Sequence, residues 1–397
     1  MSMNMNNTEV NFDSRESWLE WRRGGLGSSD ATVLAASAGL VSSPAWLDAG
    51  AEQALFWEKL GMGKPQADNQ AMRRGREMEE TVRQMAEQRL GFIAPVNLQR
   101  MDEPWLRASL DGLTLDNEIV EIKVPGPAVV DAVREGRIID YYQAQIAHQL
   151  MVLHGHPSTW SGDERFHYVV YDANKEELLI LSRSSRELQA LAVDLYELEK
   201  RFWHRVQTHD APVGGRDWYD LAIALSEAKT EMALLEAYRD LIREAVEQDG
   251  YVPTSFYVRH VPQRTSRRVD WARLFAALGV KEDELQPFRG EDQWVVMGGA
   301  RSFTPPSMSP LDAEKAISQH KLDKDELEAL VSRAREMAKV HGMLVGPYGM
   351  RVFRRSGAIN YAEAAKALGV ADTHIQEYTF ENVTPGYTML VAKKNRD

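Results

Sequence analysis

Asp111 stands ten residues before Glu121-Ile122-Lys123, and the residues between read as two short strands joined near Asn117. A hairpin over 107–115 and 118–124 with its turn near residue 116 puts Asp111 opposite or diagonal to Glu121. Side chains alternate along a strand, so Glu121 and Lys123 share one face while Val120, Ile122 and Val124 take the other and enter a core. Two carboxylates and an ammonium then meet at one sheet edge. Hard oxygen donors of this kind suit Mg²⁺ or Mn²⁺. Such an ion polarises a phosphate and acidifies water, and Lys123 can orient that water or steady developing charge. The same spacing also serves a solvated hairpin with a Glu121–Lys123 ion pair, so the surroundings must decide.

The chain of 397 residues has room for two or three domains. It has no cysteine, which excludes disulfides, thiolate zinc sites, cysteine-held iron–sulfur clusters and thiol nucleophiles and fits a reducing cytoplasm. No run of about 18 apolar residues suggests a membrane span, and the polar start MSMNMNNTEV lacks a signal pattern. A net charge of −12 argues against general coating by nucleic acid. It leaves room for a locally basic groove on an acidic body.

Residues 1–13 read as a disordered tail. From 14 to 36 the pattern is helix, glycine-rich turn, helix, with Ser14 as one cap and Ser28, Ser29 or Asp30 as the other. Helices are expected over 45–60 and 69–90, then strands at 93–100, 107–115 and 118–124. A helix at 140–153, strands at 166–171 and 178–182 around Asp172-Ala173-Asn174, and a helix at 185–208 complete a domain at 14–210. This order implies an α/β fold with a mixed central sheet. After Gly214-Gly215 the composition shifts and a repeat appears. Val269-Asp270-Trp271-Ala272 and Ala277-Leu278-Gly279-Val280 recur 90 residues later as Ile359-Asn360-Tyr361-Ala362 and Ala367-Leu368-Gly369-Val370. Two α+β units are expected, at 216–304 and 311–397, each opening on a long helix (218–248 and 311–340). Arginines precede the short helix in both: Arg264, Arg267 and Arg268, then Arg351, Arg354 and Arg355. They can track a DNA backbone, lie solvated, or serve protein docking.

Other residues belong with the hairpin. Glu79 on the preceding helix can complete a metal shell or simply pair with Arg83 one turn on, and Gly75 leaves space for DNA or a neighbouring strand. Gln145 and Gln149 share a helical face near Tyr142, where a glutamine can bond the attacking water or the scissile phosphate. His148 has no partner at metal-ligand spacing and reads as structural or exposed. The cluster Trp18-x-x-Trp21-Arg22-Arg23-Gly24-Gly25-Leu26-Gly27-Ser28-Ser29-Asp30 leads into a helix N-terminus, an anion site or a capped helix with exposed arginines. It is not a Walker A loop, since no Gly-Lys-Ser/Thr follows.

In order, WLEWRRGGLGSSDA, MRRGREMEETVR, ASLDGLTLDNEIVEIKVP and YYQAQIAHQLMV resemble the YqaJ-type viral recombinase, or lambda-exonuclease-like, family of the PD-(D/E)xK nuclease superfamily, over roughly residues 14–182. The resemblance implies a restriction-endonuclease-like core and a Mg²⁺-dependent (or Mn²⁺-dependent) exonuclease. Such an enzyme resects the 5′ strand of double-stranded DNA ends and leaves a 3′ overhang for a single-strand annealing protein. It implies Asp111 and Glu121 as metal ligands with the Ile122 carbonyl, Lys123 as the catalytic lysine, Glu79 as the helix glutamate (directly or through water) and Gln145 as the active-site glutamine. Arg22, Ser29 and Ser109 fall where a terminal 5′-phosphate is held. It further implies ring-shaped trimers, and a phage or prophage origin in a bacterial cytoplasm. Leu110 departs from the usual proline before the aspartate, a position that shapes the strand. A flap endonuclease of the same fold, or a non-catalytic DNA-end scaffold, are the rival readings.

Overall fold

The computed structural model describes residues 6–64, 70–305, 307–320 and 324–393. The chain forms two compact units, Met1–Tyr219 with Val345–Gly349, and Asp220–Leu344 with Met350–Asp397.

In the first unit the order is β1 (Asn7–Glu9), α1 (Arg15–Arg23), α2 (Ser28–Ser37), α3 (Ala51–Lys59), α4 (Gln70–Leu90), β2 (Ile93–Arg100), β3 (Arg107–Thr114), β4 (Ile119–Lys123), α5 (Pro127–Arg134), α6 (Asp140–His154), β5 (Arg165–Asp172), β6 (Glu177–Ser184) and α7 (Gln189–Thr208). The six strands lie in sequence order in one sheet. All neighbours are antiparallel except β4 and β5. This is the expected α/β fold: a mixed central sheet flanked by helices. One face carries Leu110, Ile119, Phe166 and Val170, packed with α6 residues Ile146 and Leu150 and with Ala31 and Leu195 of α2 and α7. The other carries Val120, Ile122 and Val169 against Val82 and Ala86 of α4. Each such aliphatic side chain removed from water contributes about 1.5–3 kcal/mol, so the alternation along β4 fixes which side Glu121 and Lys123 occupy.

Local chemistry sets the element ends. Ser14 caps α1 in a reciprocal box with Ser17. The α2 cap is Gly27, not one of the three residues after it, because the Asp30 side chain turns back to accept the Gly27 N–H. The helix expected from residue 45 begins at Ala51, since Gly50 adopts a left-handed φ of 83°. The start expected at Asn69 lies outside the described residues. Two elements are additional. Asn7–Glu9 of the expected tail pairs with Leu98, Gln99 and Arg100 as an edge strand, and α5, with proline in its first turn, buries Val129, Val130 and Val133.

The helix α8 (Gly215–Gln248) leads into the second unit, which holds β7 (Phe256–Val261), β8 (Arg264–Val269), α9 (Trp271–Ala277), α10 (Glu282–Leu285), β9 (Gln293–Met297), α11 (Pro310–Gln319), α12 (Lys324–His341), β10 (Leu344–Val345, at the crossing between units), β11 (Arg351–Arg355), α13 (Tyr361–Ala367), α14 (Asp372–Glu377), β12 (Thr379–Thr384) and β13 (Tyr387–Ala392). The single helix expected over 311–340 is two helices, α11 and α12. The repeat is visible in the elements, α9 matching α13 and α10 matching α14, but its strands cross over. β8 pairs with β12 and β11 with β9. The Asp270 N–H donates to the Tyr378 carbonyl at 2.9 Å, and the Asn360 N–H to the Phe288 carbonyl at 2.9 Å, one bond with the copies exchanged. Phe275 and Leu285 of the first copy share a core with Ala364, Ala365 and Ile375 of the second. The copies at 216–304 and 311–397 therefore interlock. Among the described residues no helix is long and apolar enough to cross a membrane.

Candidate active site

The β3–β4 hairpin turns at Asn117, whose φ of 60° is left-handed, with the Asn117 N–H on the Thr114 carbonyl. Its ladder runs only through Leu113↔Ile119 and Gly112↔Val120. Continued one step, that register sets Asp111 across from Glu121, but there the strands part. The Asp111 Oδ2 instead accepts the free Ile122 N–H at 2.9 Å. Gly112 sits at the point of parting because a Cβ there would meet the Ile93 Cγ2 at 2.2 Å.

Glu121 is 1% exposed. One oxygen pairs with the Lys123 ammonium and the other accepts from the Gln149 amide at 2.6 Å. Burial, then the charges of Glu121 and Glu79, push the Asp111 carboxyl up to about 7 against the pull of Lys123. Burial works against the Lys123 ammonium, but the Glu121 and Asp111 carboxylates outweigh it and hold its pKa above the usual lysine range. The point where β3 and β4 part, in the middle of the sheet, thus holds two hard oxygen donors with more negative charge than one lysine balances.

Glu79 forms the ion pair with Arg83, at 2.7 Å, that its spacing offered. Arg83 is buried, and its Nε donates to the Asp111 carbonyl at 2.8 Å, so α4 is tied to β3 beside the aspartate. Among the described residues no group of three or more His, Cys, Asp or Glu side chains is placed to hold a metal ion. Two carboxylates are nonetheless enough for a Mg²⁺ that keeps waters and takes substrate oxygens, and the surplus charge at Asp111 fits a cation there. The buried Gln149 Oε1 and Tyr168 hydroxyl have no hydrogen-bond partner among the described residues, and Tyr168 lies beside Glu121 in the β4–β5 register.

A second constellation adjoins the first along β3. Trp18, Arg22, Ser28, Ser29, Arg107, Ser109 and Gln145 are among the residues lining a cavity of about 140 Å³. Arg22 Nη2 donates to the Ser29 hydroxyl at 2.8 Å and Trp18 Nε1 to the Ser109 hydroxyl at 3.1 Å. The N-terminus of α2 opens into the same space, so N–H groups, hydroxyls and a guanidinium share one cavity. Beneath it the Lys59 ammonium, nearly fully buried, pairs with Asp30 at 2.5 Å and donates to the Arg22 carbonyl at 3.1 Å. Burial raises the Asp30 carboxyl, but Lys59 and Arg22 outweigh it and hold it below the usual aspartate range. His148 is fully buried, between Glu199 at 2.9 Å and the Arg107 carbonyl at 2.9 Å, a structural clamp on β3 and not an exposed residue.

Arg22, Ser29 and Ser109 therefore come together, as do Asp111, Glu121 and Lys123. Gln145 lines the cavity, while Gln149, one turn on, is the glutamine on Glu121. Ile122 engages through its N–H. Among the described residues, none comes within 4 Å of a Cβ built at Gly75. Arg107 has no place in the sequence reading, yet it lines the cavity and its guanidinium donates to the Trp21 carbonyl. The signal was alternation: Arg107, Ser109 and Asp111 are spaced by two along one strand.

Among known proteins, residues 17–159 match the family model described as the YqaJ-like viral recombinase domain. No curated protein matches the sequence. Among solved structures, the chain is similar to an alkaline exonuclease (LHK-Exo) from Laribacter hongkongensis, at 20% identity and a TM-score of 0.39, over 49% of this chain and 93% of that one. The same enzyme in complex with dAMP gives 19% identity and a TM-score of 0.36, over 49% and 97%. Over residues 17–159, then, this chain matches the YqaJ-like viral recombinase domain.

Proposed function

We propose that the first unit is a Mg²⁺- or Mn²⁺-dependent exonuclease that shortens the 5′-ended strand of duplex DNA and leaves a 3′ overhang for a single-strand annealing protein. The observation that carries this reading is the order of residues along β3. Ser109, in the anion cavity, stands two residues before Asp111, in the carboxylate pair, with Arg107 two residues before that. Two residues of strand span about 6.7 Å, comparable to one backbone repeat of an extended nucleotide strand. A terminal phosphate held by Arg22, Ser29 and Ser109 then sets the next phosphodiester beside Asp111 and Glu121, which suits removal of one nucleotide at a time.

In this reading Asp111 and Glu121 hold the ion, which when bound acidifies water and polarises the phosphate. Gln149 fixes the rotamer of Glu121. The Lys123 ammonium, kept protonated by its carboxylates, donates to the charge that builds on the phosphoryl oxygens; loss of one such donor costs about 10²–10³ in rate. Arg22 neutralises the terminal phosphate and holds its end in register.

The test is a linear duplex with 5′-phosphates, labelled separately at each end, incubated with and without Mg²⁺. The expected result is metal-dependent release of the 5′ label as a mononucleotide while 3′ labels stay on long strands. Covalently closed circles should survive. Early release of the 3′ label as a mononucleotide, or equal cutting of closed circles, overturns the proposal.

A further inference from the structure

The β7–β8 and β12–β13 segments form one long two-stranded ribbon in a single register, from Phe256↔Ala392 to Val269↔Thr379. It is interrupted only where Pro262-Gln263 faces Pro385-Gly386, because proline has no N–H to give the ladder. Gly386 is required there, since a Cβ would lie 2.8 Å from the Val261 carbonyl oxygen. On one side of the break the ribbon is anchored: Phe256 and Leu390 pack with Leu235, Tyr238 and Ile242 of α8. On the other side, β8 and β12 are exposed along nearly their whole length, on both faces. A two-stranded ribbon without a packed face is marginal by itself. This one is held at its ends, by the break and by the Asp270–Tyr378 backbone bond.

Direct partners on antiparallel strands share a face. One face of the β8–β12 ribbon therefore presents Arg264, Ser266 and Arg268 beside Thr384, Asn382 and Phe380. It contains no carboxylate. Arg264 and Arg268 form no ion pair among the described residues, whereas Arg354 of the other copy pairs with Asp292 at 3.1 Å. Phe380 is 49% exposed and stands directly across from Arg268. The two arginines are four residues apart, about 13 Å of strand, twice the two-residue span that compares with one backbone repeat of an extended nucleotide strand.

We infer that this face binds single-stranded DNA, Arg264 and Arg268 taking phosphates and Phe380 stacking on a base. A positive face on a chain of net charge −12 selects an anionic partner, and an exposed aromatic ring beside the guanidinium selects a strand with unpaired bases. The inference rests on the exonuclease reading only for the origin of that strand, the 3′-ended one that 5′ resection leaves.

The test uses the full chain in EDTA, so that binding is read without hydrolysis. The probes are a fluorescent thirty-residue oligothymidylate and a blunt duplex, titrated at several salt concentrations. Arg264→Gln/Arg268→Gln should weaken oligothymidylate binding on the order of 10-fold and make its salt slope shallower by about 1.4, at about 0.7 per phosphate contact. Arg264→Lys/Arg268→Lys should restore most of both. Phe380→Ala should cost about 5-fold or more on the oligothymidylate and under about 2-fold on the duplex. The exposed pair Arg333→Gln/Arg335→Gln on α12 should change neither. Unaltered oligothymidylate binding by the ribbon variant, as a protein-docking face would give, overturns the inference. So does an equal loss in the α12 pair, or a parent that binds no single strand. If the ribbon variants behave as expected while the parent digests no duplex ends, the exonuclease reading fails and the ribbon stands.

Discussion

Asp111→Asn should make the metal-free protein more stable at alkaline pH while abolishing cleavage. The Asp111 carboxyl, near 3.8 in an unfolded chain, is raised to about 7 by burial and by Glu121 and Glu79. An acid with a raised folded pKa favours the native state when protonated. Its contribution is complete below pH 3.8 and is lost as pH rises through 7. From these two values, ionising Asp111 in the fold costs about 4 kcal/mol at pH 8 and about 2 kcal/mol at pH 5. Asparagine never ionises, and its Oδ1 can keep the Ile122 N–H bond. The variant should therefore gain up to about 4 kcal/mol at pH 8, or about 8–16 °C in melting temperature for a unit of this size. Lys123 loses one of its two carboxylate neighbours, which trims the gain. The assay is thermal and urea unfolding by circular dichroism in EDTA from pH 5 to 8, repeated with Mg²⁺ or Mn²⁺. Added ion should stabilise the parent by mass action and leave Asp111→Asn unmoved. A variant no more stable than the parent at pH 8, a gap that does not narrow toward pH 5, or equal metal stabilisation of both would refute the reasoning.

Four further changes test the parts of the site separately. Arg22→Ala should slow digestion of 5′-phosphorylated ends by about 10-fold or more, as expected for a lost charge-assisted phosphate contact, and should leave 5′-hydroxyl ends at the parent's already lower rate; an equal slowing of both kinds of end would remove the phosphate assignment. Gln149→Leu deletes the 2.6 Å bond to Glu121 and should lower activity or apparent Mg²⁺ affinity by about 10–100-fold, whereas Gln145→Leu should act through the affinity for phosphorylated ends; metal titrations of the two variants that coincide would contradict this division. Gly112→Ala forces a Cβ against Ile93 and should cost about 1–3 kcal/mol, read as an earlier urea midpoint with an unchanged slope.

How the site was written in the sequence varies by residue. The Asp111–Glu121 register was legible because a turn at Asn117 and a strict in–out alternation leave little freedom: slipping one residue would drive Glu121 and Lys123 into the apolar core under α4 and turn Val120 and Ile122 toward the site. Where the ladder stops was not legible. It depends on Gly112 meeting Ile93 and on Asp111 competing for the Ile122 N–H, both long-range contacts. The resemblance points to Gln145, whereas Gln149 is the glutamine on Glu121, for a related reason. Helical phase puts both on one face, but only the height of α6 over the sheet decides which turn reaches Glu121. The tie between His148 and Glu199 spans 51 residues of sequence and has no local signature. Asn7–Glu9 has three residues, too few for alternation to show.

The second unit carries the same lesson in its repeat. Period and element type were readable, because each copy keeps its apolar positions around a short helix. Partner choice was not, because a strand patterned to pair within its own copy is patterned equally well for the other. What decides is the connection. Residues 270–292 hold two short helices between β8 and β9, and the short helices of the two copies pack on each other through Phe275, Ala364 and Ala365. With those helices side by side and the copies reversed, β8 lies beside β12 and β9 beside β11, and the exchange satisfies both ladders at once. A ribbon with both faces in water follows directly, since the helices that might have covered it are already packed against each other. The arginine face of β8 is thus a product of the interlock: either copy alone would lack the Phe380 strand that stands across from Arg268.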